Sequence, residues 1–240
     1  MNALPLALDQ LAADSVRQLR EAVARHGRVC YASSLGPESV VLTDLIWTHA
    51  QAVEIFTIDT GRLYPQTHEL IERLQRRYGR PMKIYYPDAR EVESWVERHG
   101  INGFRDAIEQ RLGCCAVRKL EPFRRALAGF SAWVTGIRAE QSASRALARA
   151  TAWDEAHGLH KLSPLLAWRE TDVWAYIHAR GLPFHELHEA GYPSIGCAPC
   201  TRAVPPGADP RSGRWWWEQE SSRECGLHPR RSPAGPVVES

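Results

Sequence analysis

The chain has 240 residues, 44% of them hydrophobic and 24% charged, with a formal net charge of +2. That is enough for one large domain with a real core, or for a domain and a tail. The near-neutral balance argues against a nucleic-acid or membrane-surface partner, and no run reaches the ~20 apolar residues of a membrane-spanning helix.

Residues 1–27 read as a helical N-terminal segment. Its start is mildly apolar, but Asp9 interrupts it and no basic stretch precedes it, so a cytoplasmic location without a signal peptide is expected. From Arg28 onward, short β-rich runs alternate with amphipathic stretches. Strands are expected over 29–32, 53–58, 82–86 and 132–137. Helices are expected over 38–49, about 65–78, from 91, near 114–128 and over 170–180. This alternation predicts an α/β fold: a mostly parallel sheet flanked by helices, with ligands at the carboxyl ends of the strands. The α/β unit is expected over 28–205 and a mobile, flexible C-terminal tail over 206–240. Residues 203–213 are rich in Pro, Gly and charge, Trp215, Trp216 and Trp217 follow, and the last stretch from Pro229 reads as disordered.

In a reducing cytosol, six cysteines point to metal or redox chemistry before disulfides. Four form two pairs, Cys114-Cys115 and Cys197-Ala-Pro-Cys200. Four thiolates suit a Cys₄ zinc site or an iron–sulfur cluster. Adjacent helical ligands diverge by about 100°. They meet two irons of a cubane more easily than one small ion, which favours a four-iron cluster. Cys30 lies inside the first expected strand and reads as a small core residue. Cys225 stands apart, beside His228 and near Arg223, Arg230 and Arg231. Such a thiol could be a nucleophile with a lowered pKa or an idle surface group.

Ser33-Ser34-Leu35-Gly36 joins a strand to a helix, where backbone N–H groups and hydroxyls can hold an anion; a plain N-cap turn explains it as well. It is not a Walker loop. Arg138 follows the fourth expected strand, where ligand contacts fall in such folds. Lys119 follows Cys115 by four residues, on the cysteine face of a helix. Arg211 and Arg214 precede the tryptophans and could bring charge to the site. His185-Glu186-Leu187-His188 spaces its histidines three apart and is not the H-E-x-x-H zinc signature.

Together, Cys114-Cys115-Ala-Val-Arg-Lys119, Ser194-Ile-Gly-Cys197-Ala-Pro-Cys200-Thr-Arg202, Gly213-Arg214-Trp-Trp-Trp-Glu218 and Glu224-Cys225-Gly-Leu-His228 resemble the assimilatory adenylyl-sulfate reductases. Ser33-Ser34-Leu-Gly, Thr57-Ile-Asp59-Thr-Gly61-Arg62, Gly136-Ile-Arg138-Ala-Glu-Gln-Ser142 and Thr171-Asp172-Val-Trp174 fit the same family, so the likeness runs from about residue 28 to 228. Related phosphoadenylyl-sulfate reductases keep the tail motif and lack the four paired cysteines. The resemblance therefore implies the cluster-bearing branch and an adenine-nucleotide alpha-hydrolase-like fold related to ATP pyrophosphatases. It implies one [4Fe-4S] cluster on Cys114, Cys115, Cys197 and Cys200, and Cys225 as the catalytic nucleophile. Substrate contacts would fall to Ser33, Ser34, Lys119, Arg138, Arg211, Arg214 and His228. The implied reaction is thioredoxin-dependent reduction of adenylyl sulfate to sulfite and AMP through an S-sulfocysteine. Action on the 3′-phosphorylated nucleotide, alone or as well, is the alternative. A homo-oligomer is compatible with the sequence. An ATP-pyrophosphatase-type ligase would need a fuller S-G-G-x-D-S loop, and a Cys₄ zinc module for nucleic acid lacks its basic stripe.

Overall fold

The computed structural model describes residues 4–218, the side chain of Ser144 excepted. Helix α1 (Leu6–His26) leads into β1 (Val29–Ala32), followed by α2 (Pro37–His49), β2 (Glu54–Ile58), α3 (Pro65–Tyr78), β3 (Lys83–Tyr85) and α4 (Ala89–His99). Helix α5 (Ile108–Cys115) runs through a π-helical turn (Ala116–Leu120) into α6 (Glu121–Leu127). Then come β4 (Ala132–Val134), the short α7 (Ala143–Ala146), β5 (Thr151–Asp154), β6 (Leu159–Leu162) and α8 (Glu170–Arg180).

The helix ends follow local chemistry. Pro65 opens α3, its fixed φ suiting the first turn, and Gly79 closes it in the left-handed conformation. Gly181 closes α8 in the same way. Asp88 caps α4 by accepting from the N–H groups of Arg90 and Glu91.

The six strands lie in the order β3-β2-β1-β4-β6-β5, all parallel except β5, which pairs antiparallel with β6. The order reverses between β1 and β4, so the crevice for a ligand opens at the carboxyl ends of those strands. Alternation across the pleat gives each face its core. Val29 and Tyr31 pack with α1, α2, α3 and α8, whereas Cys30, Phe56 and Trp133 pack with Phe123 and Leu127 of α6. Residues 39–47 of α2 are buried without interruption, because the sheet, α1 and α8 enclose that helix. Cys30 has no exposed surface and burial pushes its thiol up to about 12, which suits an inert core residue.

Departures from the sequence-based expectation include β4 and the β5–β6 hairpin. β4 stops at Val134 and not at residue 137, although Thr135 still donates to Leu162 O at 2.9 Å. Its neighbour β6 ends at Leu162, leaving nothing further to pair with. The β5–β6 hairpin lies where the sequence pattern predicts no strand. No helix among the described residues is long and apolar enough to cross a membrane.

Candidate active site

The loop after β1 turns sharply at Leu35, whose φ of 61° places a buried leucine in the left-handed region. Ser39 Oγ accepts from the Ser34 N–H at 3.0 Å and lies 2.9 Å from Ser34 Oγ. Gly36 caps α2 without any side-chain bond, and Pro37 at its start has no N–H to satisfy. Ser33 and Ser34 line the cavity there.

At its other side the same cavity is lined by Cys114, Cys115, Cys197 and Cys200 with Arg62, Arg111, Arg118, Lys119 and Arg214. The four thiols are unbridged, and Cys197 lies close enough to raise Cys114, Cys115 and Cys200. Burial, reinforced by the neighbouring sulfurs, pushes Cys115 up to about 11 and Cys200 up to about 12, and raises Cys114. Lys119 is the largest opposing influence at Cys115, as Arg118 is at Cys114. The π turn after Cys115 carries both cations, and such bulges recur at functional sites. Four thiols without disulfide bonds, Cys114 and Cys200 buried and Cys115 and Cys197 half-buried, stand beside cations and form a donor set suited to a soft metal cluster. No group of three Cys, His, Asp or Glu among the described residues closes on a single-ion site.

The loop after β2 ties the two cysteine pairs together. Arg118 Nη1 donates to Thr60 O at 2.9 Å, and Thr60 Oγ1 lies 3.1 Å from Cys197 Sγ. The Ala198 N–H donates to Arg62 O at 2.8 Å, and Tyr64 OH donates to Thr201 O at 2.9 Å. Gly61, at φ 72°, makes the turn that brings Thr60 and Arg62 to opposite partners. Sequence reasoning noted this loop but gave no role to Thr60, Arg62 or Arg118. A loop residue facing a cysteine 137 positions away leaves no local pattern.

The chain returns to the cysteines at Trp215 and Trp217, which pack with Cys114, Cys197 and Cys200. Thr201 bridges Arg214, and the Trp215 N–H donates to Cys200 O at 3.1 Å. Trp215 is buried with Trp95, Phe104, Cys114 and Cys200. Its ring lies 4.8 Å from the Arg111 guanidinium and 4.7 Å from that of Arg214. Arg111, also without a sequence-based role, donates through Nε and Nη2 to the two Glu218 carboxylate oxygens, both at 2.8 Å.

The remaining expected site residues divide. Arg214 lines the cavity; Arg138 and Arg211 are not among its lining residues. Arg138 is buried and committed to carboxylates, with Nε 2.8 Å from Glu38 and Nη1 2.6 Å from Glu140. It braces the anion loop from behind, since Glu38 stands in the first turn of α2. Arg211 sits in a turn whose N–H donates to Asp209 Oδ1 at 2.6 Å. Cys225 and His228 lie outside the described residues.

Fold and site together define a nucleotide-type α/β scaffold whose switch-point cavity is walled by thiols and guanidinium groups. The profile of the phosphoadenosine phosphosulfate reductase domain matches residues 28–203, and the chain belongs to that family. It is 51% identical over 216 residues to an adenosine 5′-phosphosulfate reductase of Allochromatium vinosum, spanning 88% of this chain and 84% of the relative. A protein of the same name from Burkholderia cepacia is 48% identical over 204 residues, spanning 85% and 82% of the two chains. Among solved structures, a phosphoadenylyl-sulfate reductase from Candida auris in a phosphate complex superposes with a TM-score of 0.68 at 27% identity. That match covers 85% of this chain and 99% of the other. An FMN adenylyltransferase from Candida glabrata in complex with ATP, at TM-score 0.58 and 18% identity over 91% of this chain and 74% of the other, shares the fold. The adenine-nucleotide alpha-hydrolase-like architecture is thereby established.

Proposed function

We propose that this chain reduces adenylyl sulfate to sulfite and AMP, with a thioredoxin supplying the electrons. The observation that carries this reading is the single cavity that has an anion-type loop at one side and four thiols ringed by cations at the other.

The substrate is a mixed anhydride of sulfate and AMP. Bringing a thiolate to its sulfur sets two anions against each other in a partly dry site, a repulsion of several kcal/mol. Fixed cations at the sulfate and phosphate oxygens lower that barrier by electrostatic preorganisation. Lys119 and Arg214 stand in the cavity for this purpose, and Arg138 holds the loop whose N–H groups would receive the phosphate. Cys225 is the proposed nucleophile. Its thiolate attacks the sulfate sulfur, the S–O bond to AMP breaks, and a Cys225 S-sulfonate remains. One thioredoxin thiolate then attacks Cys225 Sγ and sulfite leaves. The second thioredoxin thiol resolves the mixed disulfide, returning Cys225 as a thiolate. The dithiol thus supplies both electrons.

Cys114, Cys115, Cys197 and Cys200 would hold a four-iron cluster, which when bound supplies structural closure and a fixed charge beside Lys119. A brown protein with about four irons and four sulfides per chain, lost in Cys197→Ser, would support this assignment; a colourless zinc protein would overturn it.

The test of the reaction is anaerobic purification followed by sulfite release from adenylyl sulfate and its 3′-phosphorylated form, with reduced thioredoxin. Turnover of the unphosphorylated nucleotide that vanishes in Cys225→Ser is the expected result. Undiminished turnover in that variant would overturn the mechanism.

A further inference from the structure

We propose that Thr67 is a further substrate-binding residue: its hydroxyl donates to a phosphate oxygen of the bound nucleotide, and His185 is the positioning residue that leaves the hydroxyl proton free to do so. The proposal rests on the reading of the cavity as the site for an adenine nucleotide.

Both residues line the cavity, and both are enclosed, with 5% and 2% of their surface exposed. Thr67 stands in the first turn of α3, and its N–H is spent on Tyr64 O at 2.9 Å. Its Oγ1 lies 3.0 Å from His185 Nε2. The direction of that bond follows from the other ring nitrogen. Nδ1 accepts from the Leu187 N–H at 3.3 Å, so it carries no proton. Burial keeps the ring neutral, its pKa pushed down to about 4. A neutral imidazole with a bare Nδ1 has its proton on Nε2, and Nε2 therefore donates to Thr67 Oγ1. The Thr67 hydroxyl has thus accepted one bond and still has its own proton to give. No acceptor for that proton stands among the described residues. An enclosed O–H with an unspent proton on a cavity wall is satisfied when an acceptor enters the cavity.

The position selects the phosphate over the sulfate. The rings of His185 and His188 lie 6.2 Å apart between centroids, and Glu38, in the first turn of α2, is among the charges that act on His188. The Thr67–His185 pair therefore stands toward the anion loop, whereas the cysteines and their cations close the other side of the cavity. A hydrogen bond to a charged oxygen in such an enclosed place is worth about ten-fold or more in affinity.

The experiment titrates the full-length holoprotein with AMP and, separately, with adenosine, which lacks the phosphate. Thr67→Val should weaken AMP about ten-fold or more and adenosine less than about two-fold, with unchanged iron content. Thr67→Ser, which keeps the hydroxyl, should bind AMP within about three-fold of wild type. Thr67→Val leaves the His185 N–H without its acceptor. Combining it with His185→Phe gives an apolar pair of similar size that folds without that defect and should show the same loss. His185→Phe alone should weaken AMP about three-fold and add nothing to Thr67→Val, because it acts only through the hydroxyl. Wild-type AMP affinity in Thr67→Val or in the double variant would overturn the donor. An equal loss for adenosine, or a Thr67→Ser protein as weak as Thr67→Val, would overturn it too. Additive losses from the two single variants would overturn the positioning role of His185. A wild-type protein that binds neither AMP nor adenosine would instead overturn the reading of the cavity as a nucleotide site, and the donor with it.

Discussion

The α-carbon of Gly196 packs against the guanidinium of Arg214, so that a β-carbon at position 196 would stand 2.6 Å from Cζ. Gly213 has a different neighbour: its added β-carbon would strike the Arg202 carbonyl, which is backbone and cannot swing away. The two glycines therefore separate function from folding. Gly196→Ala should displace only the Arg214 head and raise KM for the nucleotide about ten-fold with an unchanged denaturation midpoint. Gly213→Ala should lower stability by about 1–3 kcal/mol by disturbing the Thr201–Arg214 bridge. Steady-state kinetics beside urea denaturation of both variants reads the contrast.

Arg138 faces three carboxylates, but they are unequal. Glu38 is largely covered, whereas Glu140 and Glu170 are more than half exposed. Exposed pairs contribute little, and a covered partner left alone is destabilising. Arg138→Ala should therefore cost about 3 kcal/mol, Glu170→Gln less than about 0.5 kcal/mol, and adding Glu38→Gln to Arg138→Ala should restore part of the loss. A double-mutant cycle in urea measures all three.

Lys119 is the main cationic influence on Cys115 and lines the cavity. Lys119→Met should reduce kcat about 10²-fold or more, as loss of one preorganised charge does. Lys119→Arg should recover only part, because a planar fork does not occupy the site of a compact ammonium. Single-turnover sulfite release is the measurement.

His185 is buried against Thr67, with Nε2 3.0 Å from Thr67 Oγ1 and Nδ1 accepting from the Leu187 N–H. Burial, with His188 nearby, pushes it from 6.5 down to about 4. The unfolded chain therefore takes up a proton near pH 6.5 that the folded chain refuses until about pH 4. Stability is complete above the higher value and declines as pH falls between the two, by about 2 kcal/mol at pH 5. His185→Gln should flatten this slope in denaturation series at pH 7.5 and pH 5. An unchanged slope would show that other groups carry the acid sensitivity.

Local pattern alone determined the α/β alternation and the limits of α3 and α8. The stop signals, Gly79 and Gly181, are contiguous with those helices and act through backbone conformation. It likewise singled out the paired cysteines and the turn at Ser33–Gly36, because residue type and spacing carry that information. Pairing between distant segments was decided only in three dimensions. β5 is an exposed edge strand with little apolar alternation, and only β6 beside it makes it a strand. Arg138 reads as a ligand contact at a strand end, yet Glu38, 100 residues away, claims its guanidinium. Arg111 carries no local signal of its role, and Glu218 returns to it across 107 residues. An ion pair of that sequence separation depends on the chain's path, which periodicity, propensity and composition do not encode.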